Sequence, residues 1–403
     1  MSKITQLKSL ITLLNEFKMI GATNQHGVTR CVYDEHWILA QKKYAEIARN
    51  YGLYPFVDNM GNVYASTSKD INKQPVILTG SHIDTVINGG SLDGTYGVLS
   101  SLTSLGELVQ QHGTPKVPIV SVSFSEEEGS RFDATFTGSR YLTNQFDESI
   151  LSLADNKGVV FETARQLAVT ELQHEMPIQE YWNIGKYLEL HIEQGPILEQ
   201  TSQNIGIVTG IVGQKRAQIK IVGQANHAGT TPMNMRHDAL RQAIELISNI
   251  HECLDDVADL RYTIGQFDVL PNVSNVVPGE VTFSLDMRQL NQDILEKYFA
   301  QVENIVHQYQ GTIEPTTNVK STKMSDELQK ILVAATEDHE LTYTSLPSGA
   351  GHDAQVISYK IPTGMIFVPS IDGVSHSPLE QTQDDDLLNG QHVLKKALYK
   401  LAY

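Results

Sequence analysis

Cysteine is scarce in this sequence: Cys31 and Cys253 are the only two among 403 residues. Two thiols cannot build a disulfide framework, and their scarcity suits a reducing compartment such as the cytoplasm. Basic residues are also in deficit, with 30 Lys and Arg against 47 Asp and Glu, a formal net charge of −17. A chain that acidic is repelled by nucleic acid and by anionic membranes, which excludes both as natural partners. No apolar run approaches the length needed to span a bilayer. Residues 1–17 carry Ile4, Leu7, Leu10, Ile11 and Leu14 at helical spacing, broken by Lys and Glu. They read as an amphipathic helix and not as a secretory leader. Internal repeats and low-complexity tracts are missing too. The remainder, 40% hydrophobic and 19% charged, has the texture of a soluble globular protein. Its length exceeds one ordinary core, so two domains are expected.

What is present is a series of short runs that read as strands, most of them leading into a residue that can bind a metal. Val76-Ile77-Leu78-Thr79 reads as a buried strand and delivers Gly80-Ser81-His82-Ile83-Asp84-Thr85. Ligand sites of open α/β sheets lie at the carboxyl ends of strands, which is where His82 falls. Asp84, two residues on, can accept the second ring proton of a histidine and fix its tautomer. Asp93 follows in the turn Gly89-Gly90-Ser91-Leu92-Asp93-Gly94, and helical spacing resumes with Val98, Leu99, Leu102 and Leu105. A second strand, residues 118–124, delivers Glu126-Glu127-Glu128-Gly129. Three adjacent carboxylates form an acidic surface turn unless a cation offsets their repulsion. A third, Tyr187-Leu188-Glu189-Leu190, leads into His191-Ile192-Glu193-Gln194-Gly195. Met365-Ile366-Phe367-Val368 precedes Gly373-Val374-Ser375-His376-Ser377-Pro378, and His352 lies in a glycine-rich turn better suited to substrate or structural duty than to ligation.

The texture changes in residues 209–321. Strand (211–222), helix (238–254), two strands (262–270 and 281–287), helix (291–309) and a short strand (311–313) make the ferredoxin-like order. This segment is expected to be a compact domain inserted into a larger one formed by residues 1–208 and 322–403. It carries its own cluster: Asn226-His227-Ala228-Gly229, Asn272-Val273-Ser274-Asn275, and Asp286-Met287-Arg288. An Asn, a His and an Arg at strand ends can hold an oxyanion and a carboxylate. In the larger domain, His82, Asp93, one Glu of the triple, His191 and His376 make five candidate ligands. Five suffice for two ions only if one bridges, and an aspartate is the natural bridge. A second Glu of the triple is then free to act as general base. Mixed His and carboxylate donors suit zinc or manganese and do not choose between them.

These motifs together resemble the allantoate amidohydrolase, N-carbamoyl-L-amino acid hydrolase and β-ureidopropionase family. Its members are dinuclear metallo-amidohydrolases related to aminoacylases and carboxypeptidase-like metallopeptidases. The resemblance runs from about Gly27 to Glu380. It implies a mixed-sheet α/β catalytic domain of the zinc-exopeptidase type with an inserted ferredoxin-like dimerisation domain acting as a lid. It implies His82, Asp93, Glu128, His191 and His376 as ligands of two divalent ions, zinc or manganese, with cobalt or nickel possible. Glu127 matches the general base and Asp84 the residue orienting His82. His227 resembles the histidine that stabilises the oxyanion in a neighbouring subunit's site. Asn275 and Arg288 resemble binders of a substrate carboxylate, with Gln194 and Arg216 as further substrate contacts; His352 joins the substrate candidates on its glycine-rich turn. The family implies a homodimer, and a reaction in which metal-activated water cleaves the ureido group of a small carboxylated substrate. Thr85-Val86-Ile87-Asn88-Gly89-Gly90 and Gly27-Val28-Thr29-Arg30 resemble the allantoate branch more than the carbamoyl amino acid branch.

Overall fold

A computed structural model describes residues 7–180 and 182–403. The chain divides into two compact units, Met1–Thr209 with Met324–Tyr403, and Gly210–Lys323. The expected boundaries at 209 and 321 fall within two residues of these.

The first unit is built on one mixed sheet. Its strands include β1 (Tyr54–Val57), β2 (Val63–Ser66), β3 (Val76–His82), β4 (Ile119–Phe124), β5 (Ile184–Ile192) and β6 (Ile205–Ile211), with Thr363–Val368 set between β5 and β6. The order is β1-β2-β4-β3-β5, then Thr363–Val368, then β6. β3 with β4, β3 with β5, and β5 with Thr363–Val368 pair in parallel. Strands buried on both faces need continuous apolar or small residues. Every residue of β3, β4 and Thr363–Val368 is buried. Because β3, β4 and β5 run parallel, His82, the glutamate triple and His191 emerge at the same edge. The helix Thr95–His112 packs on β3, β4 and β5 and begins directly after Asp93. Gly94 starts it at φ 59°, and a Cβ there would collide with the His82 ring. Glycine is needed at that approach.

The amino-terminal helix is shorter than its periodicity suggests. It spans Leu10–Lys18 and is capped by the Ser9 hydroxyl; Ile4 lies outside the described residues. The Gly27–Arg30 segment makes isolated bridges through Val28 to Ala22 and Gly89.

The second unit has strand order Phe267–Leu270, Glu280–Gln289, Gly213–Val222, Thr312–Val319, with two helices, Ala239–Leu254 and Gln292–Gln308, packed on the strands. In chain order that is strands 2-3-1-4 of a βαββαβ unit, the ferredoxin-like arrangement. Ala217, Ile219, Ile221, Phe283, Leu285, Ala243, Leu246, Phe299 and Val302 form its separate core. Three expected strands differ in detail. Residues 211–222 divide at Val212, because β6 pairs with Thr363–Val368 whereas Gly213–Val222 pairs with Glu280–Gln289. Alternation along a chain cannot register such a change of sheet. Residues 262–270 are two short strands on one neighbour. Between them the Gly265 and Gln266 amides leave the ladder and bond the Ser284 hydroxyl. The last strand extends to Val319, well past the expected 313, through a bulge at Pro315–Thr317.

Candidate metal centre

The five expected ligands of the first unit converge on Asp93. Its Oδ1 lies 3.1 Å from His191 Nε2 and 3.6 Å from His82 Nε2. Its Oδ2 lies 3.2 Å from His376 Nε2, which is itself 3.5 Å from Glu128 Oε2. The carboxylate thus faces two donor groups, one on each oxygen. His82, Asp93 and His191 form one set able to enclose a cation, and Asp93, Glu128 and His376 form another. One Glu128 oxygen is buried without a hydrogen-bond partner. An orphaned carboxylate oxygen costs free energy unless a cation or a proton satisfies it. Burial pushes Glu128 up to about 7, against a lowering by His82 and His376. The donor set fits two divalent ions sharing Asp93.

The supporting contacts differ in part from expectation. The His82 Nδ1 partner is the Asp84 backbone carbonyl at 3.1 Å, while the Asp84 carboxylate stands 3.7 Å away, beyond a direct bond. Its Oδ2 instead accepts the backbone N–H groups of Glu127 and Glu128, both at 3.1 Å. Asp84 therefore ties the His82 loop to the glutamate turn. His191 Nδ1 meets the Ile192 carbonyl at 2.9 Å. With both Nδ1 atoms directed at carbonyls, each Nε2 carries the lone pair that an ion would take up; at His191 that lone pair accepts the Gly94 amide at 3.1 Å.

The glutamate triple is no surface turn. Glu126 and Glu127 are buried, and the Glu128 side chain is 6% exposed. Glu127 Oε2 is 3.9 Å from His82 Nε2. Burial lifts its carboxyl well above the ordinary range, and Glu128 nearby adds to the rise. Gln194 donates to Asp93 Oδ2 at 2.8 Å and to Ser375 Oγ at 3.1 Å. His352 is buried with its ring 4.6 Å from that of His191, and its Nε2 meets Ser348 Oγ at 3.0 Å.

The remaining candidates belong to the second unit. Val276 pairs with His227 on a two-stranded ladder, and the Ala228 amide donates to the Asn275 carbonyl. His227 Nδ1 accepts the amides of Gly229 and Thr230 at 3.0 and 3.2 Å. An accepting Nδ1 places the ring proton on Nε2, so His227 presents a fixed N–H donor. Arg216 and Arg288 both hold Asp286, at 2.8 and 3.1 Å. Burial would raise Asp286; the two guanidiniums outweigh it and hold the carboxyl below its ordinary range. They line a groove of about 480 Å³ with Thr263, Gln266 and Ser284.

The family model described as peptidase family M20/M25/M40 matches residues 78–400, which include all five expected ligands. The chain belongs to this family. Among M20/M25/M40 relatives, allantoate amidohydrolase of Bacillus subtilis (strain 168) is 36% identical over 100% of this chain and 99% of its own. N-carbamoyl-L-amino-acid amidohydrolase of Pseudomonas sp. (strain NS671) is 33% identical, covering 94% of this chain and 95% of that one. The crystal structure of a hydantoinase/carbamoylase family amidase from Burkholderia multivorans matches with a TM-score of 0.91 at 31% identity, over 98% and 97% of the two chains. Sequence reasoning assigned no role to one further residue beside Asp93. Glu380 bonds the Leu92 and Asp93 amides. Its sequence signal was its place two residues beyond Ser375-His376-Ser377-Pro378.

Proposed function

We propose that this chain is a dinuclear metal-dependent amidohydrolase that hydrolyses a ureido C–N bond in a small carboxylated substrate, with allantoate the first candidate. The observation that carries the reading is Asp93, one carboxylate shared by two donor sets. The names of the Bacillus and Pseudomonas relatives support the bond type.

His82, His191 and Asp93 would hold one ion, and Asp93, Glu128 and His376 the other. Such a pair supplies Lewis acidity and a water of lowered pKa. Glu127 Oε2 takes the proton of the attacking water and returns it to the departing nitrogen. Its burial brings its proton affinity toward that task. His227 Nε2–H donates to the oxyanion that develops on the ureido carbonyl. Arg288, Arg216 and Asn275 bind the substrate carboxylate, and Gln194 and His352 contact substrate beside the ions. Addition of water breaks the ureido C–N bond. It leaves an amine on the substrate and a carbamate that falls apart to ammonia and carbon dioxide. Allantoate, with two ureido groups and a carboxylate on one carbon, would give ureidoglycine.

The second unit also supports a homodimer in which His227 serves the site of the partner subunit. Val222, Met233, Met235, Ile244, Leu270 and Val273 are all exposed there, large apolar side chains that a second copy of the unit would cover. No helix among the described residues is long and apolar enough to cross a membrane. The two unpaired thiols are in keeping with a cytoplasmic location.

The test is ammonia release from manganese-loaded protein, with allantoate and N-carbamoyl-L-amino acids side by side. Turnover of allantoate is expected. Preference for a carbamoyl amino acid would move the substrate assignment to the Pseudomonas-type reaction. Silence on both with metal bound would overturn the ureido reading.

A further inference from the structure

We propose that Glu380 is a positioning residue that sets the bridging Asp93 against His376. The inference rests on the dinuclear reading above and assigns a role to a residue outside the ligand set. Glu380 Oε1 accepts two consecutive backbone amides, Leu92 at 2.9 Å and Asp93 at 3.1 Å. Its Oε2 accepts the Ser375 hydroxyl at 3.0 Å. Ser375 immediately precedes His376, and its hydroxyl also receives the Gln194 amide. One side chain therefore grips the backbone of the residue whose Oδ2 faces His376, and the neighbour of His376 itself. The Asp93 to His376 separation of 3.2 Å depends on both grips.

Three observations argue that this carboxylate positions the ligands and does not join them. Its oxygens already accept three donors, leaving little capacity for an ion. It belongs to none of the His and carboxylate groups able to enclose a cation. It is 5% exposed, and no Lys or Arg side chain pairs with it among the described residues. A buried carboxylate held only by neutral donors is expensive; its position beside a doubly charged pair of ions would offset that cost. The surrounding chain makes room for it. A Cβ on Gly90 would overlap the Glu380 carboxyl group. Gly90 is absent from the residues with positive φ, so space rather than backbone conformation demands glycine there.

The test uses the full-length protein stripped of metal and titrated with cobalt(II), read by visible absorption, beside its metal-free melting temperature. Wild type is expected to take two equivalents. Glu380→Ala should move the cobalt midpoint roughly tenfold or more upward, the scale of losing an outer support of a ligand. Glu380→Gln keeps an acceptor for both amides and should stay within about threefold of wild type. Gly90→Ala leaves the carboxylate in the chain but pushes it aside, so it should behave like Glu380→Ala. A role confined to stability would lower the metal-free melting temperature of Glu380→Ala and leave its cobalt midpoint alone; that result overturns the proposal. So does a Gln variant as weak as the Ala variant. Should Glu380→Ala fail to fold, Gly90→Ala decides, and an unshifted midpoint there overturns it. Wild type that binds no cobalt would instead remove the dinuclear reading itself, an outcome visible before any variant is made.

Discussion

The two units place functional side chains under opposite conditions. In the first, His82, Asp93, Glu127 and His191 are buried, at strand ends or, for Asp93, in the turn before the helix Thr95–His112. Their carboxyl and imidazole groups pay desolvation and hold unusual proton affinities. In the second, His227 and Asn226 are exposed, and Arg216 has a side chain half open to water. The contrast matches two tasks. A bridged metal pair needs donors fixed within tenths of an ångström before the ion arrives. Contacts to a diffusible substrate need an open approach, and only the backbone around them must be rigid. His227 shows the second case: an exposed ring whose tautomer is nevertheless set by two amides.

If the contrast is right, changes in the two units should separate chemistry, binding and metal content. The largest effect is expected from Glu127→Gln. Turnover should fall by about 10³ or more with metal content unchanged, since general base catalysis is worth about 10² to 10⁴. Elemental analysis beside a rate assay checks this, and a variant that keeps wild-type turnover would remove Glu127 from its role. His227→Ala should cost about 10² in kcat, the scale of one oxyanion donor, again with full metal. Loss of metal in that variant would erase the division between units. Mixing the inactive Glu127→Gln and His227→Ala proteins should restore some activity if His227 serves a partner subunit; no recovery counts against a shared site. Arg288→Ala should raise KM for a carboxylated substrate by roughly tenfold or more and leave kcat less affected. An equal fall in kcat would mean that the guanidinium orients the reacting group.

The smallest effect concerns protons. In the metal-free protein the hydrogen bond to Asp93 raises His376 to about 9. An imidazolium cannot ligate, so below that pH an entering ion must expel a proton. Cobalt affinity should therefore rise with pH up to about 9, and calorimetry at neutral pH in buffers of different ionisation enthalpy should register proton release. Affinity independent of pH would show that His376 is neutral before metal enters.

Much of the candidate ligand set was legible in the sequence, because His82, the glutamate triple and His191 each follow a run that reads as a buried strand. A run such as Val76–Thr79 can only be buried, so the polar residue that ends it must surface at the strand's end. The same reasoning found the βαββαβ order of the second unit from its alternation and helical spacing. It could not find the break at Val212 or the lifted amides at Gly265, because local periodicity carries no record of which strand lies alongside.

Residue type and local spacing were enough to name the side chains able to ligate and the loops that present them. Folding in three dimensions settled the rest: how these groups share Asp93, that Asp84 holds the glutamate turn through its carboxylate, and that Gln194 reaches Asp93. Glu380 makes the point most sharply, since its amide partners lie 288 and 287 residues away along the chain. Spacing and residue type are local properties of a chain. A hydrogen bond across such a distance exists only once the sheet has brought its two ends together.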